Sequence, residues 1–386
     1  MISMALLVMI YISFISLGLP DSLLGSAWPS MVGPLGAPLW GAGLVQMTIS
    51  SGTIVSSLNS AKLIRRFGTG KLTALSVATT ALALLGFSIT RHYWMLLVFA
   101  IPLGLGAGAV DAALNNYVAL HCAPRHMSWL HCFWGVGTTV GPMVLSALLT
   151  AGFGWASGFR TVGALQCVLS AVLFATLGLW KREGTQQEEK QARDLTLFQV
   201  LALPGAKQGM ITFLCYCAIE STLGLWAATY MVVVRGIDAA QAASFAALFY
   251  FGITAGRAVS GFMTLRFTPK QMVRIGQTIL LLGTCMVFLP IKGAMLAGLV
   301  LCGVGCAPIY PNIIQDTPVN YGAENSQAAI GVQMASAYVG STVMPSVFGW
   351  LGGLFGYALL PGYVLALAAL MIAMFTVQKR IVARQG

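Results

Sequence analysis

Apolar runs at 3–32, 40–63, 71–90, 93–121, 128–152, 157–180, 207–234, 240–264, 272–290, 293–316, 325–352 and 357–378 leave this 386-residue chain little besides short joints. Crossing a hydrocarbon core about 30 Å thick takes roughly 20 apolar residues as a helix. The runs are too long for barrel strands and lack two-residue alternation, which predicts twelve membrane-spanning helices in an all-α membrane protein. Only 8% of the residues are charged, against about a quarter in soluble domains, so no soluble domain fits between the spans. The first run follows Met1 directly and is too long for a signal-peptide core, so it is expected to stay as a helix.

A net charge of +11 raises nucleic acid as a partner, but the cations sit at the ends of the runs, which excludes it and leaves the lipid bilayer. Lys62, Arg65, Arg66, Lys71, Arg125, Lys181, Arg182, Lys190, Arg193, Lys207, Arg266, Lys270, Arg274, Lys379, Arg380 and Arg384 fall on one side of an even-numbered topology. Arg91, Arg160, Arg235 and Lys292 fall on the other, and Arg257 lies inside a run. The positive-inside rule then predicts cytoplasmic N- and C-termini in a plasma membrane, a bacterial inner membrane being expected. All eight cysteines lie in or beside apolar runs without paired ligand spacing, so they read as small hydrophobes rather than disulfides or zinc ligands.

The one long polar joint, residues 181–194, opens a connector (181–206) between an N-terminal half (1–180) and a C-terminal half (207–386). The halves repeat one another. Asp21-Ser22-x-Leu24-Gly25 answers Glu220-Ser221-x-Leu223-Gly224 at an offset of 199, and Arg66-Phe67 answers Arg266-Phe267 at 200. Gly137-Thr138-Thr139-Val140-x-Pro142 answers Gly340-Ser341-Thr342-Val343-x-Pro345 at 203, and Phe153-Gly154-Trp155 answers Phe355-Gly356-Tyr357 at 202. Two parallel six-helix repeats resemble the major facilitator superfamily, in which a substrate site lies at mid-membrane between the halves.

Of ten acids, Glu183, Glu188, Glu189 and Asp194 lie in the connector, Asp238 and Glu324 in joints, and Asp316 at the end of a run. Asp21, Asp111 and Glu220 remain at depth. A charged carboxylate there costs about 2.5 to 3.5 kcal/mol on insertion scales, so it marks a pathway, a relay or a substrate site unless a neighbouring hydroxyl or backbone donor simply pairs with it. Asp111 follows small residues at 104, 108 and 112, a spacing that lets a second helix approach closely. The Gly-x-Gly-x-Gly pattern there is no dinucleotide fingerprint, since no strand–turn–helix surrounds it. Asp111 and Asn115 share a face one turn apart, with Asn116 beside them, and an acid with two carboxamides suits a polyol or sugar.

The second run carries a polar stripe of Gln46, Thr53 and Ser57, and the fifth opens on His131 and Trp134. His131 reads as a hydrogen-bonding or proton-handling group; no second ligand gives it metal-like spacing. The seventh run sets Glu220, Trp226 and Tyr230 within three turns; the tenth offers Tyr310, Asn312 and Gln315, and the eleventh Gln327 and Gln333. Trp28 and Trp226 follow the matched acids in both halves, where a flat ring could stack on a sugar or simply pack. Pro20, Pro29, Pro102, Pro142, Pro308, Pro311 and Pro345 lie within runs and kink them.

Arg65-Arg66-Phe67-Gly68-Thr69-Gly70-Lys71 and Arg266-Phe267-Thr268-Pro269-Lys270 are positive-inside joints in matched positions. The first resembles the superfamily motif Gly-x-x-x-Asp-Arg-x-Gly, which latches the cytoplasmic ends of the halves. Arg66 and Gly68 match; Ala61 and Arg65 replace the first glycine and the aspartate, so an acid-dependent latch is not expected.

Together the acid near Gly25-Ser26-Ala27-Trp28-Pro29, the glycine-rich fourth run, His131 to Gly137, Gly256-Arg257 to Gly261 and Ala307-Pro308-Ile309-Tyr310-Pro311 resemble the fucose permease branch, the fucose-galactose-glucose:proton symporters. The resemblance implies that Asp21 is the protonatable coupling acid and that Asp111, an aspartate where that branch carries glutamate, links proton to sugar. It implies a monomeric alternating-access symporter for a sugar or sugar-like polar solute, with no cofactor beyond the coupling ion; sodium in place of the proton stays open. An exporter of amphipathic compounds is the nearest alternative, a non-transporting nutrient sensor the remoter one. An enzyme is not expected, because no nucleophile and base show recognisable spacing.

Overall fold

The computed structural model describes residues 4–122, 124–180, 195 and 197–384, and among these no strand occurs. In the first half of the chain the helices are α1 (Met4–Asp21), α2 (Leu23–Leu35), α3 (Gly41–Leu58), α4 (Ser60–Phe67), α5 (Thr69–Ser88), α6 (Tyr93–His121), α7 (Pro124–Thr150) and α8 (Ala156–Ala175). Then come α9 (Leu197–Ala202), α10 (Ala206–Val233), α11 (Ala239–Met263), α12 (Pro269–Phe288), α13 (Lys292–Cys306), α14 (Ile309–Gln315), α15 (Thr317–Tyr321), α16 (Ala323–Phe355) and α17 (Leu360–Ala383). The polar connector 181–194 lies outside the described residues.

Ten segments among the described residues are long and apolar enough to cross a membrane. The expected second and eleventh spans correspond to α3 with α4 and to α16, which fall outside that set. Their hydroxyl and amide side chains, such as Gln46, Ser50, Thr53 and Ser57 in α3, dilute the apolarity that marks the others. Three expected runs are broken: the first at Ser22, the second at Asn59, the tenth between Cys306 and Ile309.

By contact the chain divides into two compact units. One comprises Met1–Gly184, Leu225–Tyr250 and Gly349–Tyr357; the other comprises Thr185–Gly224, Phe251–Phe348 and Ala358–Gly386.

In the first unit α1 lies against α7 and α3 against α6 so closely that glycine is required. A Cβ on Gly18 would overlap the Trp134 carbonyl, and one on Gly137 the Ile15 carbonyl. Gly104 and Gly108 stand equally close to the carbonyls of Ile49 and Thr53, and the Thr53 and Ser57 hydroxyls donate to the Gly104 and Gly108 carbonyls, each at 3.2 Å. The small-residue spacing is thus a helix contact, and two members of the expected polar stripe are spent in it. Leu6, Ile10 and Phe14 of α1 join Val77, Leu114 and Leu173 in the core of this unit.

In the second unit, α12 and α13 pack through Gly276, Gly283, Gly298 and Gly305. Gly340 of α16 meets the Leu214 carbonyl of α10 as Gly137 meets that of Ile15. These partners match across the repeat, at offsets of 203 and 199.

Candidate functional site

In the first unit the acid in the first span sits at a helix break. Pro20 lies in the last turn of α1, Asp21 ends it, and α2 starts at Leu23. The Gly18–Gly137 approach brings α7 alongside, and the Trp134 indole Nε1 donates to Asp21 Oδ2 at 2.8 Å. Asp21 keeps exposed surface although it lies well inside a 32-residue apolar segment. Among the described residues no cation pairs with it. Asp111 of α6 is near enough for its charge to act on Asp21. Its Oδ1 accepts from Asn115 Nδ2 at 2.9 Å, and the same nitrogen donates to the Asp111 carbonyl, so the expected acid–amide face exists. The Asn116 side chain lies outside the described ones. Further along the α1–α7 seam, His131 is half-buried, edge-on to Phe14 with ring centres 6.0 Å apart, and the Tyr11 hydroxyl meets His126 Nδ1 at 2.7 Å.

The second unit treats its acid differently. Glu220 of α10 faces Arg257 of α11, with Oε1 3.8 Å from Nη2, and its Oε2 accepts from the Tyr216 hydroxyl one turn earlier. Tyr216, Phe213 and Tyr310 form an aromatic cluster beside it. The matched acids therefore differ in kind: Asp21 has a neutral donor, Glu220 a cation. On α14 and α16, Asn312 Nδ2 donates to the Pro308 carbonyl and Gln333 Oε1 accepts from Thr317. Asn312 Oδ1 and Gln333 Nε2 are buried with no hydrogen-bond partner. Gln315 is exposed.

Of the two alternatives for Trp28 and Trp226, stacking on a solute or packing, the geometry shows packing. Trp28 is fully buried, donates to the Leu39 carbonyl at 2.7 Å and lies edge-on to Tyr93. Trp226 is fully buried against Tyr357 and Gly349, so neither presents a ring face. Tyr230 is buried as well; its hydroxyl accepts from Arg235 Nε at 3.0 Å, beneath the guanidinium. Gln46 is half-buried and reaches only Ser50 of its own helix. At the basic joints Gly68 links α4 to α5 with φ of +72°, a conformation that explains the glycine, while Arg66 lies over Phe67 and Arg266 is exposed. The side chains of Ala61, Arg65 and Gln327 lie outside the described ones.

Sequence reasoning passed over three polar groups. Tyr216 is one. Lys379, read from the sequence only as a cation at a run end, is another: it bonds Asp316 and Asn320 from α17 in a nearly buried cluster. The third, Gln166, is a lone amide in an apolar run with no sequence neighbour to mark it.

The profile of the Major Facilitator Superfamily matches residues 10–257 and again 209–385. Bypass of stop codon protein 6 of Saccharomyces cerevisiae is 22% identical over 407 residues, covering 95% of this chain and 80% of its own. Two solved structures share the fold. The nucleoside transporter NupG aligns at 13% identity over 98% of this chain and 100% of its own, with a TM-score of 0.78. The transporter FucP, in its outward conformation, aligns at 14% identity over 97% and 98%, with a TM-score of 0.66.

Proposed function

The chain belongs to the major facilitator superfamily and is a membrane transporter rather than an enzyme, and from that premise we propose that it carries a sugar or sugar-like polar solute by proton-coupled symport. On this reading twelve spans form two six-helix halves, 1–180 and 207–386, with both termini cytoplasmic.

The observation that carries the proton assignment is the Asp21–Trp134 pair at the break between α1 and α2. An indole N–H bonds either protonation state of a carboxyl group without neutralising it, so Asp21 remains able to take and release a proton. Glu220 is held by Arg257 and is assigned to binding and structure. Protonation of Asp21 removes the charge that opposes burial and favours the occluded, loaded state; deprotonation reopens the site. Asp111 stands within electrostatic reach and couples its own ionisation, and the solute bonds made beside Asn115, to that step.

For the solute, the acid–amide face of the first unit supports a hydroxylated molecule. Asn115 presents a half-buried amide beside the Asp111 carboxylate, a donor and an acceptor that hydroxyls can bond at once. A nucleoside, the solute of the nucleoside transporter NupG, carries sugar hydroxyls of the same chemical kind.

Proteoliposomes with an imposed pH gradient test the assignment. A screen of radiolabelled monosaccharides and nucleosides first finds a transported one. Asp21→Asn should then abolish gradient-driven accumulation while leaving gradient-free exchange of that solute; accumulation at the wild-type level would show that Asp21 is not the coupling group.

A further inference from the structure

Pro20 leaves a gap in α1 that is closed from another helix. Proline has no N–H, so the carbonyl four residues earlier loses its helical donor. That carbonyl belongs to Ser16, five residues before Asp21. Gln166, in the middle of α8, donates to it from Nε2 at 2.7 Å, and Oε1 of the same amide accepts from the Thr80 hydroxyl of α5 at 2.9 Å. A carbonyl only accepts, which fixes which end of the amide faces Ser16. Gln166 is 2% exposed and Thr80 3%, so both are closed off from solvent; the Thr80 hydroxyl also lies 2.9 Å from the Val77 carbonyl of its own helix and shares its proton between the two acceptors. Bonds at both ends of the amide offset the cost of burying it among apolar helices.

We propose that Gln166 is a positioning residue for Asp21: by bonding the Ser16 carbonyl that Pro20 releases, it fixes the bend of α1 that sets the Asp21 carboxylate against the Trp134 indole. The inference rests on Asp21 being the titrating acid. Trp134 of α7 and Asp111 of α6 share its surroundings, His131 and the Tyr11–His126 pair lie further along the seam, and α5 and α8 bring Lys71 and Arg160 at their opening turns. The second unit uses another device. Its residue matched to Pro20 is Ile219, which keeps its N–H, and Glu220 is fixed by Arg257.

The test uses purified full-length protein and needs no solute. Infrared difference spectra across a pH series read the Asp21 carboxyl stretch, identified as the band missing from Asp21→Asn. Gln166→Met removes both amide contacts at similar volume. It should lower the melting temperature and displace the midpoint of the Asp21 band. Ser170→Ala, which deletes the 3.0 Å bond from α8 to the Ala74 carbonyl of α5, should lower the melting temperature and leave that midpoint in place. Pro20→Ala returns an N–H to Ser16, so P20A/Q166M should melt above Q166M.

An unmoved midpoint in Q166M, an equal displacement in Ser170→Ala, or no recovery from Pro20→Ala overturns the proposal. If Q166M does not fold, recovery of folded protein in the double variant supports it and continued misfolding overturns it. A wild-type protein without an Asp21 band overturns the proton reading instead, while the melting comparison still decides whether Gln166 serves the Ser16 carbonyl.

Discussion

Arg257 and Glu220 tie their stabilities together, because in a medium of low dielectric each charge offsets part of the other's desolvation. Arg257→Leu should lower stability by about 3 kcal/mol in detergent melts, since it strands Glu220 beside a lone phenol; Arg257→Leu with Glu220→Gln should cost less, because no charge is left uncompensated. Asp21→Asn behaves in the opposite sense: it keeps an acceptor for Trp134 and removes an unpaired charge, so it should melt at or above the wild type. All three deep acids are legible in the sequence, because a carboxylate in an apolar run is costly wherever it points. Their partners are not. The tryptophans show the limit of adjacency: Trp28 lies seven residues beyond Asp21, about two turns, and its ring bonds the Leu39 carbonyl instead.

At the level of helices, the approach of α1 and α7 decides whether Trp134 reaches Asp21 at all. Gly137→Ala places a methyl group into the Ile15 carbonyl and should destabilise by about 1 to 3 kcal/mol, with the Trp134–Asp21 bond weakened. Gly33→Ala, where nothing lies within 4 Å of the new Cβ, should be neutral or stabilising by up to ~1 kcal/mol. Melting curves of the two variants check the contrast. The spacing of residues 104 and 108 announced a close contact, and Gly104 and Gly108 make one; the sequence could not say that α3 would be the partner or that Thr53 and Ser57 would be drawn into it. Pro20 announces a carbonyl without its helical donor at Ser16, yet the donor that reaches it lies 150 residues away.

For the whole molecule, the distribution of cations predicts that both ends face the cytoplasm. A fluorescent protein that matures only in the cytoplasm, fused after residue 386, should light up in cells, and a secreted-enzyme reporter at the same point should stay silent; the reverse pattern would turn the topology over. By itself the sequence determined the class, since apolar length and the exclusion of charge are summed residue by residue, and it determined a repeated plan with an acid at the same place in each half. Which acid is held by a cation and which by an indole was decided only in the tertiary structure. Asp21 and Glu220 hold matched places in the sequence, yet Asp21 ends α1 at a break and Glu220 lies within unbroken α10; Arg257, Trp134 and Gln166 come from separate helices, and their reach depends on close approaches set by many small contacts distributed along the chain.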